Sequence, residues 1–158
     1  MTTPLYKILL LGAPASGKTS LVKRICSGTF ECTYVPTLGV TITPVFFNTP
    51  AGSAVLHIWE FGGEDTFGLI SENLFHGASG AIILHDYCNR GNSLRPTELL
   101  TTVQQLCKDI PVVMCHSKDD TKVNEEKMWV IVPDEVKSFW LSAKDNYHCT
   151  LPFLHLAT

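Results

Sequence analysis

Lys18 is the side chain in this sequence with the most evident chemistry, because of what surrounds it. It stands in Gly12-Ala13-Pro14-Ala15-Ser16-Gly17-Lys18-Thr19, which has the G-x-x-x-x-G-K-[ST] spacing of a phosphate-binding loop. Gly12 and Gly17 let the backbone curl so that successive N–H groups point inward at phosphate oxygens. The amino end of the following helix adds a favourable dipole. The candidate cradle is therefore Ala13, Pro14, Ala15, Ser16, Gly17, Lys18, Thr19 and Ser20. Lys18 would reach the β- and γ-phosphates, and the Thr19 hydroxyl would ligate Mg²⁺. With glycine at roughly 7% of residues, chance would assemble the four fixed positions in well under about 1% of chains of this length.

The loop works only if a strand delivers it and a helix leaves it. Leu5 to Leu11 is an apolar run that reads as the strand, and Leu21, Val22, Ile25 and Cys26 mark one face of a helix that stops at Ser27-Gly28-Thr29. Val40 to Asn48 alternates as a strand with Ile42 and Phe46 on one face. Pro44 within it cannot donate to a ladder, which places that strand at a sheet edge. Thr49 to Ser53 reads as a hairpin turn into Val55 to Glu60. Phe61 to Asp65 is then a loop at the carboxyl end of a strand, where open α/β sheets bind ligands.

A short helix is predicted over Gly68 to Phe75. The compact apolar runs Ala81 to His85 and Pro111 to Cys115 have the character of buried parallel strands. Between them, Pro96 to Lys108 reads as a helix with proline in its first turn and Leu99, Leu100, Val103 and Leu106 facing inward. Val123 to Val136 is ambiguous: Asn124 to Lys127 opens like a helix, whereas Trp129 to Val132 favours a strand. Ser138 to Leu141 is a last short strand before Ser142-Ala143-Lys144, and the tail from Thr150 begins a short helix. Strands alternating with helices after such a loop define an α/β fold with helices on both faces of one sheet.

Composition narrows the function classes. A chain of 158 residues with 12 basic and 15 acidic side chains, evenly spread, is sized for one domain and offers no basic surface for nucleic acid. No apolar run approaches the roughly 20 residues of a spanning helix. Neither a secretory signal nor a C-terminal prenylation box is legible, so no membrane anchor is expected. The 6 cysteines show no C-x-x-C spacing and lie mostly within apolar runs, which favours reduced thiols over zinc or disulfides.

Taken in order, these motifs resemble the Ras-like small GTPases, and in detail the Ran branch of them. The resemblance runs from Tyr6 to about Ala157. It is carried by Lys23-Arg24, by Tyr34-Val35 with Thr37 to Val40, by Phe67-Gly68 and by Ile110 to Val113. Ser142-Ala143-Lys144 with Asn146-Tyr147, and Pro152 to Leu154, extend it. It implies a P-loop G domain with a mostly parallel sheet, one antiparallel edge strand and a shortened last helix. It also implies GTP or GDP and Mg²⁺ as ligands.

The roles it implies fall on matched positions. Thr37 would place its hydroxyl on Mg²⁺ and its N–H on the γ-phosphate. Phe30 would pack against guanine, with Tyr34 also at the nucleotide. Gly63 would sense the γ-phosphate, so that two loops are ordered by it and released when it leaves. Lys18, Thr37 and Glu64 form the implied catalytic set. Ser117, Lys118 and Asp120 correspond to N-K-x-D: Asp120 would accept from guanine N1 and N2, and Lys118 would lay its stem on the ring. The Ala143 N–H, between Ser142 and Lys144, would donate to guanine O6.

The departures set further expectations. Glu60 replaces the aspartate of D-x-x-G, which accepts from a Mg²⁺-bound water, and carries its charge one methylene further out; weaker Mg²⁺ retention is expected. Glu64 stands where a glutamine orients the attacking water. Two unit charges about 4 Å apart at an effective dielectric near 20 repel by roughly 4 kcal/mol, nearly three powers of ten in rate, so intrinsic hydrolysis is expected to be slow. Ser117 is shorter than asparagine and is expected to make fewer bonds. Pro14 removes at most one donor from the cradle.

The resemblance implies a monomeric nuclear and cytoplasmic switch in nucleocytoplasmic transport. Its partners would be importin-β-like receptors, Ran-binding proteins, an exchange factor and an activating protein. Val132 to Lys137 stands where Ran carries a basic stretch, and the acidic tail of Ran has no counterpart here. A pseudo-GTPase that occupies Ran partners without useful turnover is the alternative reading.

Overall fold

The computed structural model describes residues 2–28, 39–62, 72–86, 96–118 and 132–158. Its elements run β1 (Leu5–Leu11), α1 (Lys18–Ser27), β2 (Val40–Thr49), β3 (Gly52–Phe61), a 3₁₀ turn (Glu72–Phe75), β4 (Gly80–Asp86), α2 (Pro96–Leu106), β5 (Val112–Ser117), β6 (Lys137–Trp140) and α3 (Leu151–Leu156). The strands form one sheet in the order β2-β3-β1-β4-β5-β6. Every neighbouring pair is parallel except β2 with β3. This is the α/β architecture expected from the sequence, a mostly parallel sheet with one antiparallel edge strand.

The order places β1 in the middle, flanked by β3 through Leu10 opposite Glu60 and by β4 through Leu11 opposite Ile83. The loop after β1 therefore emerges between the carboxyl ends of β3 and β4. All seven residues of β4 are buried, as a strand covered on both faces must be. One face packs Ile8, Leu10, Ile58 and Ile82 against Leu21 and Val22 of α1 and Phe153 of α3. The other packs Leu9, Leu11 and Ile83 against Leu99, Leu100 and Val103 of α2 and Phe75. α1 ends at Gly28, whose φ of 70° and N–H bond to the Arg24 carbonyl (3.0 Å) make a left-handed cap.

The edge strand keeps its sequence reading and adds which of its faces is covered. Pro44 does lie on the edge strand, and Thr49 opposite Gly52 closes the hairpin around Pro50-Ala51. But the Ile42 and Phe46 face of β2 is the exposed one, with Phe46 79% exposed, while Val45 and Phe47 turn inward. Phe47 stacks on Phe153 at 5.9 Å because α1 and α3 cover that side of the sheet.

Other boundaries shift for local reasons. α2 stops at Leu106, which is exposed, and Cys107 takes the inward position expected of it. Of the predicted helix ending at Phe75, the described part is the 3₁₀ turn from Glu72; 68–71 lie outside the described residues. Residues 132–136 form neither helix nor strand, and the Val136 N–H bonds the Pro133 carbonyl at 2.9 Å in a turn leading into β6.

Candidate phosphate and base site

The loop after β1 is shaped by three residues. The Ser16 N–H bonds the Ala13 carbonyl at 3.2 Å, closing a turn with Pro14 second and Ala15 third. Ala15 has φ 59°. A type II turn favours proline at its second position and needs positive φ at its third, so Pro14 pre-sets the turn while Ala15 strains to complete it. Gly17, at φ 102°, turns the chain into α1. Gly12 is fixed by space: a Cβ there would overlap the Leu84 carbonyl oxygen of β4 and stand 2.7 Å from Ser16 Oγ.

The carbonyls of this loop are held from behind. Lys18 Nζ donates to the oxygens of Gly12 (2.8 Å) and Ala13 (2.9 Å). Lys118 Nζ donates to Ala15 O at 2.9 Å, and Ser117 Oγ to Ser16 O at 2.6 Å. In a planar trans peptide the N–H points opposite to the C=O. Tethering the Gly12 and Ser16 carbonyls thus puts the N–H groups of Ala13 and Gly17 on the opposite side of their peptides from those bonds. Pro14 has no N–H to aim, and the Ser16 N–H is used in the turn. What remains is a concave anion site with fewer donors than an all-glycine loop would carry.

Lys18 is 6% exposed, and burial pulls its ammonium down to about 8, with the nearby Glu60 charge opposing that shift. An anion beside Lys18 would favour its charged form and oppose that shift.

Glu60 belongs to the same corner. It is 3% exposed and its Oε1 accepts a hydrogen bond directly from Thr19 Oγ1. Two hard oxygen donors meeting at the mouth of a phosphate cradle suit a divalent cation such as Mg²⁺, which is commonly held by one or two carboxylates plus substrate phosphates. Among the described residues no group of three or more His, Cys, Asp or Glu gathers to bind a metal alone. A cation here would depend on the phosphates to complete its shell.

The opposite end of the site is built from β4, β5 and the loop after β6. Ser117 is 3% exposed, and its hydroxyl lies 3.1 Å from the His85 carbonyl as well as bonding Ser16, so the short side chain reaches both neighbours. The Lys118 ammonium pairs with Asp86 Oδ2 at 2.7 Å, which together with Ala15 O defines where its head lies. Ser142 and Tyr147 exchange backbone bonds of 3.0 and 2.9 Å, and the Asp145 N–H bonds Ser142 Oγ at 3.1 Å. Arg24 reaches across from α1: its Nε donates to Ala143 O at 2.7 Å and a terminal nitrogen to Lys144 O at 2.9 Å. That fork fixes the peptides of the Ser142-Ala143-Lys144 turn.

The structure thus brings together Ala13 to Ser20, Glu60, Ser117, Lys118 and Ser142 to Lys144 around the carboxyl ends of β1, β3, β4 and β5. Phe30, Tyr34, Thr37, Gly63, Glu64 and Asp120 lie outside the described residues. Two contributors escaped the sequence reading. Asp86 closes an apolar strand at the ligand end of the sheet, a signal that was there to use. Arg24 as a clamp on Ala143 had no local signal, since 119 residues separate them.

A protein-family model described as Ras of Complex, Roc, domain of DAPkinase matches residues 7–120. The match runs from β1, through the cradle and β4, to the residues that follow β5.

Proposed function

We propose that this chain, which belongs to the Roc family of Ras-like GTPase domains, is a guanine-nucleotide switch that binds GTP and GDP with Mg²⁺. The observation that carries the reading is the inversion of the loop from Gly12 to Ser16. Four of its carbonyls are tied to Lys18, Ser117 and Lys118, which would leave the Ala13 and Gly17 N–H groups for the phosphates. Thr19 and Glu60 are the residues that would hold Mg²⁺, which when bound neutralises phosphate charge. Guanine selection would rest on Asp120 and the Ala143 N–H: adenine offers Asp120 no matching donor pair and would leave it unpaired.

Hydrolysis would convert GTP and water to GDP and phosphate, slowly, because the anionic Glu64 replaces a residue able to donate to the phosphoryl group. The Ran-like stretches support a finer role in nucleocytoplasmic transport, shared between nucleus and cytoplasm and exercised through importin-β-like receptors. Glu64 equally favours a second reading, a pseudo-GTPase that uses the nucleotide as a structural ligand.

Binding of fluorescent GDP, GTP and ATP analogues, with Mg²⁺ and with EDTA, tests the switch. Tight Mg²⁺-dependent binding with guanine preference is expected. Loss of preference between guanine and adenine would sink it. Single-turnover hydrolysis with and without an activating protein then separates the switch from the pseudo-GTPase, since clear acceleration belongs only to the first.

A further inference from the structure

We propose that Asp86 is a positioning residue for base recognition: it pins the ammonium of Lys118 so that the stem of that lysine stays on the base side of the site. This deepens the nucleotide reading above and rests on it. By strand parity Asp86 shares the face of Ile82 and Leu84, the face that α1 covers. It lies opposite Ser117 in the ladder, the residue before Lys118. Lys118 leaves β5 at φ 63°, and its ammonium donates to Asp86 Oδ2 at 2.7 Å and to Ala15 O at 2.9 Å.

An acid is unfavourable in this corner on two counts. Asp86 is 6% exposed, so its charge is held out of water. Through Lys118 it also stands only two hydrogen bonds from the loop that would bind phosphate, whose charge repels it. An ion pair in such a place can often be exchanged for neutral residues with little loss of stability, so the fold alone does not call for it. What a carboxylate does here that a neutral residue does not is compete with a phosphate for the ammonium. Lys118 ends in a mobile point charge with three donors, and Ala15 O is a neutral acceptor for one of them. Without Asp86 the ammonium would be drawn to the bound phosphate, taking the stem away from the base. The exposures fit this division: the carboxylate is buried, whereas the Lys118 side chain is 40% exposed and leaves surface for a ring to lie on.

Calorimetric titration of the nucleotide-free full chain with GDP and with inorganic pyrophosphate, each with Mg²⁺, tests this, because pyrophosphate carries the charge without the base. Asp86→Asn should weaken GDP binding by about tenfold. Pyrophosphate should bind that variant as well as before or more tightly, since a negative charge has left the site. Lys118→Met should also weaken GDP binding, and adding Asp86→Asn to it should bring no further loss, because the aspartate acts through the lysine. Equal losses for the two ligands would overturn the proposal and place Asp86 in the fold. Additive losses in the double variant, or GDP binding unchanged or tightened by Asp86→Asn, would overturn it as well. Should Asp86→Asn not fold, Asp86→Glu keeps the charge but displaces the ammonium, and it should lose affinity for GDP and not for pyrophosphate. If the unsubstituted chain binds neither ligand, or gains nothing from the base, the nucleotide reading falls and this inference falls with it.

Discussion

The hydroxyl of Ser117 donates to the carbonyl of Ser16 at 2.6 Å across 101 residues of sequence, joining the end of β5 to the phosphate loop. It is a buried bond, made by the residue at the position the sequence resemblance matches to the asparagine of N-K-x-D. The proposed base end and phosphate end of the site are thereby joined directly. Lys118 adds to it by bonding Ala15 O and Asp86.

Ser117→Ala removes the donor and leaves two buried carbonyls, those of Ser16 and His85, without it. An unsatisfied buried polar group costs about 1–3 kcal/mol. Denaturant unfolding should show a loss in that range, and GDP affinity should fall by about tenfold or more as the Gly17 N–H loses its aim. Unchanged affinity with reduced stability would show that Ser117 serves the fold alone.

Ala15 offers the opposite case, a position where a substitution should help. Its φ of 59° is left-handed, a conformation that costs an L-residue roughly 1–2 kcal/mol and glycine almost nothing. Glycine returns about 0.5–1 kcal/mol of that through its freer unfolded chain. Ala15→Gly should therefore stabilise the protein by about 0.5–1 kcal/mol in urea unfolding. It should also leave the turn from Ala13 to Ser16 formed, since Pro14 still sets its second position.

The balance of these local and distant effects explains what was legible in the sequence. The cradle was readable because its residues are contiguous and its spacing is dictated by backbone geometry. β4 was readable as an unbroken apolar run, and β2 as an edge because Pro44 has no N–H. Alternation in β2 put Ile42 and Phe46 on one face, but which face α1 and α3 cover is decided by packing, and it is that of Val45 and Phe47. The contacts of Arg24 with Ala143, of Lys118 with Asp86 and of Glu60 with Thr19 join residues 119, 32 and 41 positions apart. Sequence spacing carries no information about such pairs; the strand order creates them.

Arg24 should affect base recognition although it lies on α1. Its planar fork holds the Ala143 and Lys144 carbonyls at 2.7 and 2.9 Å, a geometry that a lysine cannot reproduce with one ammonium. Arg24→Lys should keep the positive charge and the helix but loosen the turn that presents the Ala143 N–H. Competition between guanine and adenine nucleotides should show guanine preference reduced by about tenfold, equivalent to about 1.4 kcal/mol. A uniform loss for both bases would place the role of Arg24 in the fold instead.

His116 makes a prediction about acid. It is fully buried on β5, its ring 4.5 Å from that of Trp140 and 5.2 Å from that of His85, and among the described residues neither of its nitrogens has a hydrogen-bond partner. Burial, reinforced by the neighbouring His85, pulls its pKa down from 6.5 to about 4. Between those values the unfolded chain takes up a proton that the folded chain refuses, so stability is full above pH 6.5 and is lost as pH falls. A shift of that size corresponds to a loss approaching about 3 kcal/mol by pH 4. His85 is shifted in the same direction and steepens the loss. His116→Leu removes the titrating group and two unsatisfied nitrogens at similar volume. It should raise stability at pH 7 by about 1 kcal/mol and flatten the decline between pH 6.5 and 4. Parallel unfolding curves for the two proteins across that range would show that His116 does not set the acid limit of this fold.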